Sequence, residues 1–159
     1  MTDLYFEDII GRYFNLNLKK DNYRIYVEEA GQGTPLLCLH TAGSDGRQFR
    51  HILNDKRITN NYRVIVFDLP WHGKSNPPEG YELKDYKLTT NLYKEIIMSF
   101  CKQYKLIDPV IMGCSMGGRV VLHLALEHCD YFKAVIALEG SDKLEPYYLS
   151  LIHISEPTR

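Results

Sequence analysis

Gly113-Cys114-Ser115-Met116-Gly117-Gly118 stands between a short apolar run, Val110-Ile111-Met112, and an apolar stretch with helical spacing from Arg119 to His128. Strand, tight turn and helix in that order leave few folds open. At such an elbow a serine takes a strained backbone conformation, and glycine must flank it so that no Cβ meets the neighbouring chain. Gly113 and Gly117 meet that demand. The helix that follows turns its unpaired N–H groups and the positive end of its dipole toward the serine, where an oxyanion forms during acyl transfer. Ser115 is therefore a candidate nucleophile and the Met116 N–H a candidate oxyanion donor. The competing reading is a glycine-rich turn around a buried serine. Cys114 adjoins Ser115, but consecutive residues entering a turn point in opposite directions, so only one faces a cleft. The geometry of the turn favours Ser115.

Apolar periodicity places this elbow in an architecture. Phe14, Leu16 and Leu18 alternate with polar residues, as do Tyr23, Ile25 and Val27 after the polar turn Lys19-Lys20-Asp21-Asn22, which reads as a β-hairpin with one solvated face. The later runs lose their alternation: Leu36-Leu37-Cys38-Leu39, Val64-Ile65-Val66-Phe67, Val110-Ile111-Met112 and Ala134-Val135-Ile136-Ala137-Leu138 are solid. Solid runs of this length indicate strands buried on both faces of a parallel sheet. Between them, Leu83 to Tyr104 carries Leu88, Leu92, Ile96 and Phe100 at i, i+4 spacing, Asp45 to Leu53 makes a weaker helix, and Gly117 to His128 a third. The expected fold is an open α/β sheet, mostly parallel, with an antiparallel N-terminal hairpin. Ligands bind such sheets at the carboxyl ends of the strands, where Ser115 and the residues after Leu39 and Phe67 fall.

Composition narrows the partners. The chain has 159 residues, 45% of them hydrophobic, enough for one packed domain. Its net charge is −1 and its lysines are scattered, so it offers no basic field for nucleic acid and no polybasic stretch for a membrane surface. A small-molecule substrate is the remaining expectation. The amino end, Met1 to Asp8, carries early acidic residues and no long apolar run, unlike a signal peptide or membrane anchor, so the cytoplasm is the expected compartment. Four cysteines lie far apart, two of them inside apolar runs, which suits reduced thiols. No disulfide, metal or other cofactor is expected, and the oligomeric state is left open.

Three segments coincide: Leu39-His40-Thr41-Ala42-Gly43-Ser44 after the third strand, Asp68-Leu69-Pro70-Trp71-His72-Gly73-Lys74-Ser75 after the fourth, and the Gly113 to Gly118 elbow after the fifth. Together they resemble the serine-nucleophile branch of the α/β-hydrolase superfamily over about residues 13 to 148. The resemblance implies the α/β-hydrolase fold and acyl transfer on an ester, thioester, lactone or amide. Ser115 would attack the carbonyl carbon, with the N–H groups of Met116 and Ala42 holding the oxyanion. It also implies that His40, Thr41 and Trp71 line the substrate. Thr41 departs from the family's His-Gly pair, and a β-branched residue stiffens the loop that carries Ala42. Trp71 stands where relatives usually have glycine. It is either packing against the top edge of the sheet or an aromatic wall for substrate. In the family the histidines equivalent to His40 and His72 tie loops together, and either acts as a base only if it comes within hydrogen-bond reach of the serine.

The order implied for this fold is serine, acid, histidine. After Ser115 come His123, His128 and His153. At 1.5 Å per residue, the helix carries the first two roughly 12 and 20 Å from the serine. Asp130 lies beyond the same helix, and Asp142 is a candidate acid or substrate contact after the sixth strand. Every residue from Leu149 to Arg159 matches the translation of a sequencing-library adapter, so residues 149–159 are expected to be an appended tail and His153 no catalytic base. On this reading residues 1–148 are a partial core domain, truncated after the sixth strand. That strand would be an open apolar edge prone to association, and the chain would be inactive for want of acid and histidine. Two other readings stay open: a non-catalytic, receptor-like ligand binder of the same fold, and an active short chain that borrows a histidine by self-association.

Overall fold

Alternating apolar and polar residues fold Ile10–Leu18 (β1) and Asp21–Ala30 (β2) into an antiparallel pair, with Phe14 opposite Ile25 and Leu16 opposite Tyr23. Leu16, Leu18, Tyr23, Ile25 and Val27 are buried while their polar neighbours face outward, as the period of two dictates. The structure, a computed structural model, describes residues 6–19, 21–83 and 87–140. Asp142, His153 and the adapter-like stretch 149–159 lie outside the described residues.

The solid apolar runs become Thr34–Leu39 (β3), Tyr62–Phe67 (β4), Val110–Cys114 (β5) and Ala134–Leu138 (β6). The six strands lie in the order β1-β2-β4-β3-β5-β6, with β2 antiparallel to β4 and the other new pairings parallel. Successive residues of the central strands feed opposite cores. Leu37, Leu39, Ile65, Phe67 and Ile111 pack with Ile96, Ile97 and Phe100 of Thr90–Gln103 (α3) and with Val121 and Leu124 of Met116–Glu127 (α4). On the other face Leu36, Cys38, Val64, Val66, Val110 and Met112 meet Phe49, in a 3₁₀ turn over Gly46–Phe49, and Leu53 of Arg50–Asn54 (α1). A run with both faces buried has no polar positions to spare, which is why these strands show no alternation.

The helix expected over Leu83 to Tyr104 begins later. Thr89 accepts a hydrogen bond from the Leu92 N–H at 3.1 Å and caps α3, while Tyr81–Leu83 forms a separate 3₁₀ turn that leaves Leu83 exposed. A further single turn, Lys56–Thr59 (α2), is capped by Asp55. It is too short to produce an apolar period in the sequence.

β6, read as a solid run like the central strands and also as an open apolar edge, is covered on one face only. Val135 and Ala137 are partly covered beneath α4, but Ile136 is 41% and Leu138 45% exposed on the opposite face. β6 is also the sheet's edge among the described strands. An unpaired apolar edge is a template for another chain. Ile136→Lys is therefore expected to reduce the concentration-dependent increase in scattering mass seen by light scattering, without lowering the melting temperature.

Candidate active site

β4 and β5 lie on opposite sides of β3, so the strand order reverses at the gap between the carboxyl ends of β3 and β5. Such a switch point opens a crevice at the strand ends. Leu39 pairs with Gly113 in parallel register, so the loop after β3 and the turn after β5 leave the sheet side by side.

Ser115 is the turn. Its φ of 52° and ψ of −108° lie outside the ordinary regions for a side-chain-bearing residue. Its N–H donates to Leu138 O at 2.8 Å, and its carbonyl accepts the Arg119 N–H at 2.8 Å. Three glycines permit this packing. A Cβ on Gly117 would stand 2.5 Å from Leu39 O, one on Gly118 would stand 2.5 Å from Leu138 O, and one on Gly113 would run into the Gly117 carbonyl. Gly118 was not among the glycines the motif singled out. Its constraint comes from β6, which is remote in sequence. Ser115 is half-buried and its hydroxyl does not cap α4. The first N–H groups of that helix, Met116 foremost, have no intrahelical acceptor and lie around the serine.

The loop after β3 is held by His40, which is fully buried. Its Nδ1–H donates to Thr41 O at 2.8 Å, and its Nε2 accepts the Leu69 N–H at 3.1 Å. Burial drives its pKa down to about 4. With the ring sealed and both nitrogens engaged by backbone, His40 is neither a substrate contact nor a base, which corrects its assignment to the substrate lining. It fixes the loop instead. The His72 ring lies 5.0 Å from it, and Nδ1 of His72 bonds Pro70 O at 3.0 Å. Thr41 N–H donates to Gln48 Oε1 at 2.9 Å, a tie that motif spacing did not reveal. Thr41 and Ala42 are both half-buried beside the elbow.

The loop after β4 is organised by Asp68, whose Oδ1 accepts the Gly46 N–H at 2.7 Å and Oδ2 the Lys74 N–H at 2.8 Å. Burial raises its pKa, with these backbone bonds working against the rise. Ser75 completes the loop: its hydroxyl donates to Asp68 O at 2.6 Å and accepts the Tyr26 N–H at 2.9 Å. Ser75→Ala leaves both buried backbone groups short of a partner and is expected to lower stability by about 1–3 kcal/mol in urea unfolding. Trp71 has a φ of 69°, a left-handed conformation, which accounts for glycine being the easier residue there. Its ring meets Tyr81 edge-on at 4.9 Å.

His123 lies two turns along α4 and His128 just past its end, and among the described residues no hydrogen bond joins an imidazole to Ser115. All four cysteines are free: Cys38 and Cys101 are buried, which pushes both thiols up to about 12, Cys114 is half-buried and Cys129 exposed. No helix among the described residues is long and apolar enough to cross a membrane.

A serine on a strained strand-to-helix turn, at the switch point of a mostly parallel sheet that starts with an antiparallel hairpin, defines the class of α/β hydrolases. Residues 34–151 match the α/β hydrolase fold family, and the chain belongs to it. It is 27% identical over 119 residues to the pimeloyl-[acyl-carrier protein] methyl ester esterase of Vibrio vulnificus strain YJ016, covering 75% of this chain and 42% of that protein. It is 33% identical over 95 residues to the magnesium-chelatase 30 kDa subunit of Rhodobacter capsulatus, covering 60% and 31%. The fold is similar to that of a thermophilic esterase from Thermogutta terrifontis, with a TM-score of 0.73 at 20% identity over 84% of this chain and 47% of that one. The chain thus spans less than half the length of these proteins.

Proposed function

We propose that the protein is a serine hydrolase that cleaves a small carboxylic ester, or a related thioester, lactone or amide, through an acyl-enzyme on Ser115. One observation carries this reading: a half-buried serine on a strained turn directly before the first turn of α4, with a hydroxyl that does not cap that helix. In the proposed step the Ser115 oxygen bonds to the carbonyl carbon while the carbonyl π electrons move onto oxygen. The Met116 and Ala42 N–H groups stabilise that oxygen. A base takes the hydroxyl proton and returns it to the leaving group as the tetrahedral intermediate collapses. Thr41 and Trp71 line the substrate in this reading. The base and its acid partner are assigned to chain beyond Gly140, in the order serine, acid, histidine.

Among the described residues no hydrogen bond joins an imidazole to Ser115, so in this reading the base comes from outside them. The four free cysteines favour a reducing compartment, the cytoplasm. The test is labelling by a fluorophosphonate probe in the protein expressed from its uninterrupted reading frame, with the modified peptide identified by mass spectrometry. A label on Ser115, lost in Ser115→Ala, supports the hydrolase. Saturable ligand binding without labelling supports the receptor-like alternative.

A further inference from the structure

Two side chains hold the backbone of one residue in the loop after β3. The His40 Nδ1–H donates to Thr41 O at 2.8 Å, and Gln48 Oε1 accepts the Thr41 N–H at 2.9 Å. A backbone N–H meets only an acceptor, so the Thr41 partner settles which way the Gln48 amide faces. The peptide planes before and after Thr41 are thus both tied, and the second of them carries the Ala42 N–H. In a trans peptide the C=O and the N–H point in opposite directions. With the Thr41 carbonyl drawn toward the buried His40 ring, the half-buried Ala42 N–H is turned away from that ring, and among the described residues it has no acceptor. Gln48 stands on a firm base: its 3₁₀ turn is held by Asp68 Oδ1 on the Gly46 N–H at 2.7 Å, by Asp45 O on the Gln48 N–H at 3.1 Å and by Phe49 in the core. The Gln48 side chain is nonetheless exposed. An exposed amide has water as an alternative partner, so its bond to Thr41 contributes little to overall stability. What the bond supplies is orientation of the loop, which leaves β3 at Leu39, whose carbonyl lies against Gly117 of the elbow.

We propose that Gln48 is a positioning residue for the oxyanion donor: by accepting the Thr41 N–H it fixes the backbone that aims the Ala42 N–H, and so sets the rate of attack by Ser115. That role depends on Ser115 being the nucleophile and the Ala42 N–H one of its two oxyanion donors. A donor aids the transition state only if it already points where the charge develops, and a loop free to turn loses that advantage. With the Gln48 tie broken, the plane before Thr41 is free to rotate and only the His40 bond restrains the plane that follows. The seven residues between the partners hide the tie from any local period.

Gln48→Met keeps the reach of the side chain and removes the acceptor, while Gln48→Glu keeps an acceptor at the same reach. In the protein expressed from its uninterrupted reading frame, phosphonylation of Ser115 by an alkyl fluorophosphonate is followed over a range of probe concentrations, which separates the limiting rate, kinact, from the half-saturating concentration, KI. The serine oxygen bonds to phosphorus, its proton passes to the base, fluoride leaves, and the phosphoryl oxygen takes up charge where a carbonyl oxygen would. In Gln48→Met, kinact is expected to fall about 10- to 100-fold with KI changed by less than about two-fold, short of the roughly 100- to 1,000-fold loss from removing an oxyanion donor outright. Gln48→Glu is expected to keep at least about a third of the wild-type kinact, since its carboxylate still accepts the Thr41 N–H. A merely structural role would instead lower the urea midpoint and leave kinact of the folded protein unchanged. Gln48→Ala gives the same comparison should Gln48→Met fold poorly. An unchanged kinact in the variants without an acceptor, or an equal fall in Gln48→Glu, overturns the proposal and leaves the reading of Ser115 standing. Wild-type protein that takes no label at Ser115 overturns both.

Discussion

Gly113→Ala is expected to destabilise the chain by about 4 kcal/mol or more, enough to abolish a cooperative urea transition in a domain of ordinary stability. Gly113 does not have a positive φ, so conformational freedom is not what it supplies. What it supplies is space. An added Cβ would overlap the carbonyl of Gly117 and stand 2.7 Å from the Gly118 nitrogen, and both are backbone atoms of the first turn of α4. A clashing side chain can change rotamer, but a helix end pinned by Ser115 N–H to Leu138 O on one side and by Gly117 against Leu39 on the other cannot move alone. Gly80→Ala is the control: φ is 73° there, but a Cβ meets nothing within 4 Å. It is expected to cost only the left-handed backbone penalty, about 1–2 kcal/mol. Equal losses in the two variants, measured by circular dichroism against urea, would refute close approach of strand and helix at the elbow.

The parts of this fold that could be read in advance are those written in local periodicity. The hairpin shows a period of two because one face of β1 and β2 is wet, and the central strands show none because both faces are dry. The elbow was legible because its glycines and serine fall within six consecutive residues. What was hidden depends on segments distant in sequence. Gly118 is required by Leu138, and Asp68 gathers the N–H groups of Gly46 and Lys74. The start of α3 was misplaced because Leu88 continues the apolar stripe outside the helix, and the cap at Thr89 ends it regardless. The resemblance gives His40 both a place in the substrate lining and a loop-tying role, and the packing, which buries its ring, supports the second.

That packing makes His40 the expected source of acid sensitivity. Its pKa falls from an ordinary 6.5 to about 4 because burial disfavours the imidazolium. Between those values the unfolded chain binds a proton at this residue that the folded chain refuses, so stability rises with pH across the window. The contribution is complete above about pH 6.5 and is lost as the pH falls to about 4, a swing of about 3 kcal/mol. Asp68, raised from its ordinary value by burial, contributes with the opposite sign, so the wild-type slope alone is not diagnostic. His40→Gln removes the titration. The variant should be less stable at pH 7.5, yet lose about 2–3 kcal/mol less than the wild type between pH 7.5 and 4.5 in urea unfolding. Equal losses would mean that His40 is not sequestered as a neutral ring. The consequence extends to the site. Protonation turns the Nε2 acceptor into a donor facing the Leu69 N–H, two donors then oppose each other, and the loop bearing Thr41 and Ala42 loses its anchor. Any chemistry that uses the Ala42 N–H should therefore decline only as the pH nears about 4, where the folded chain takes up this proton.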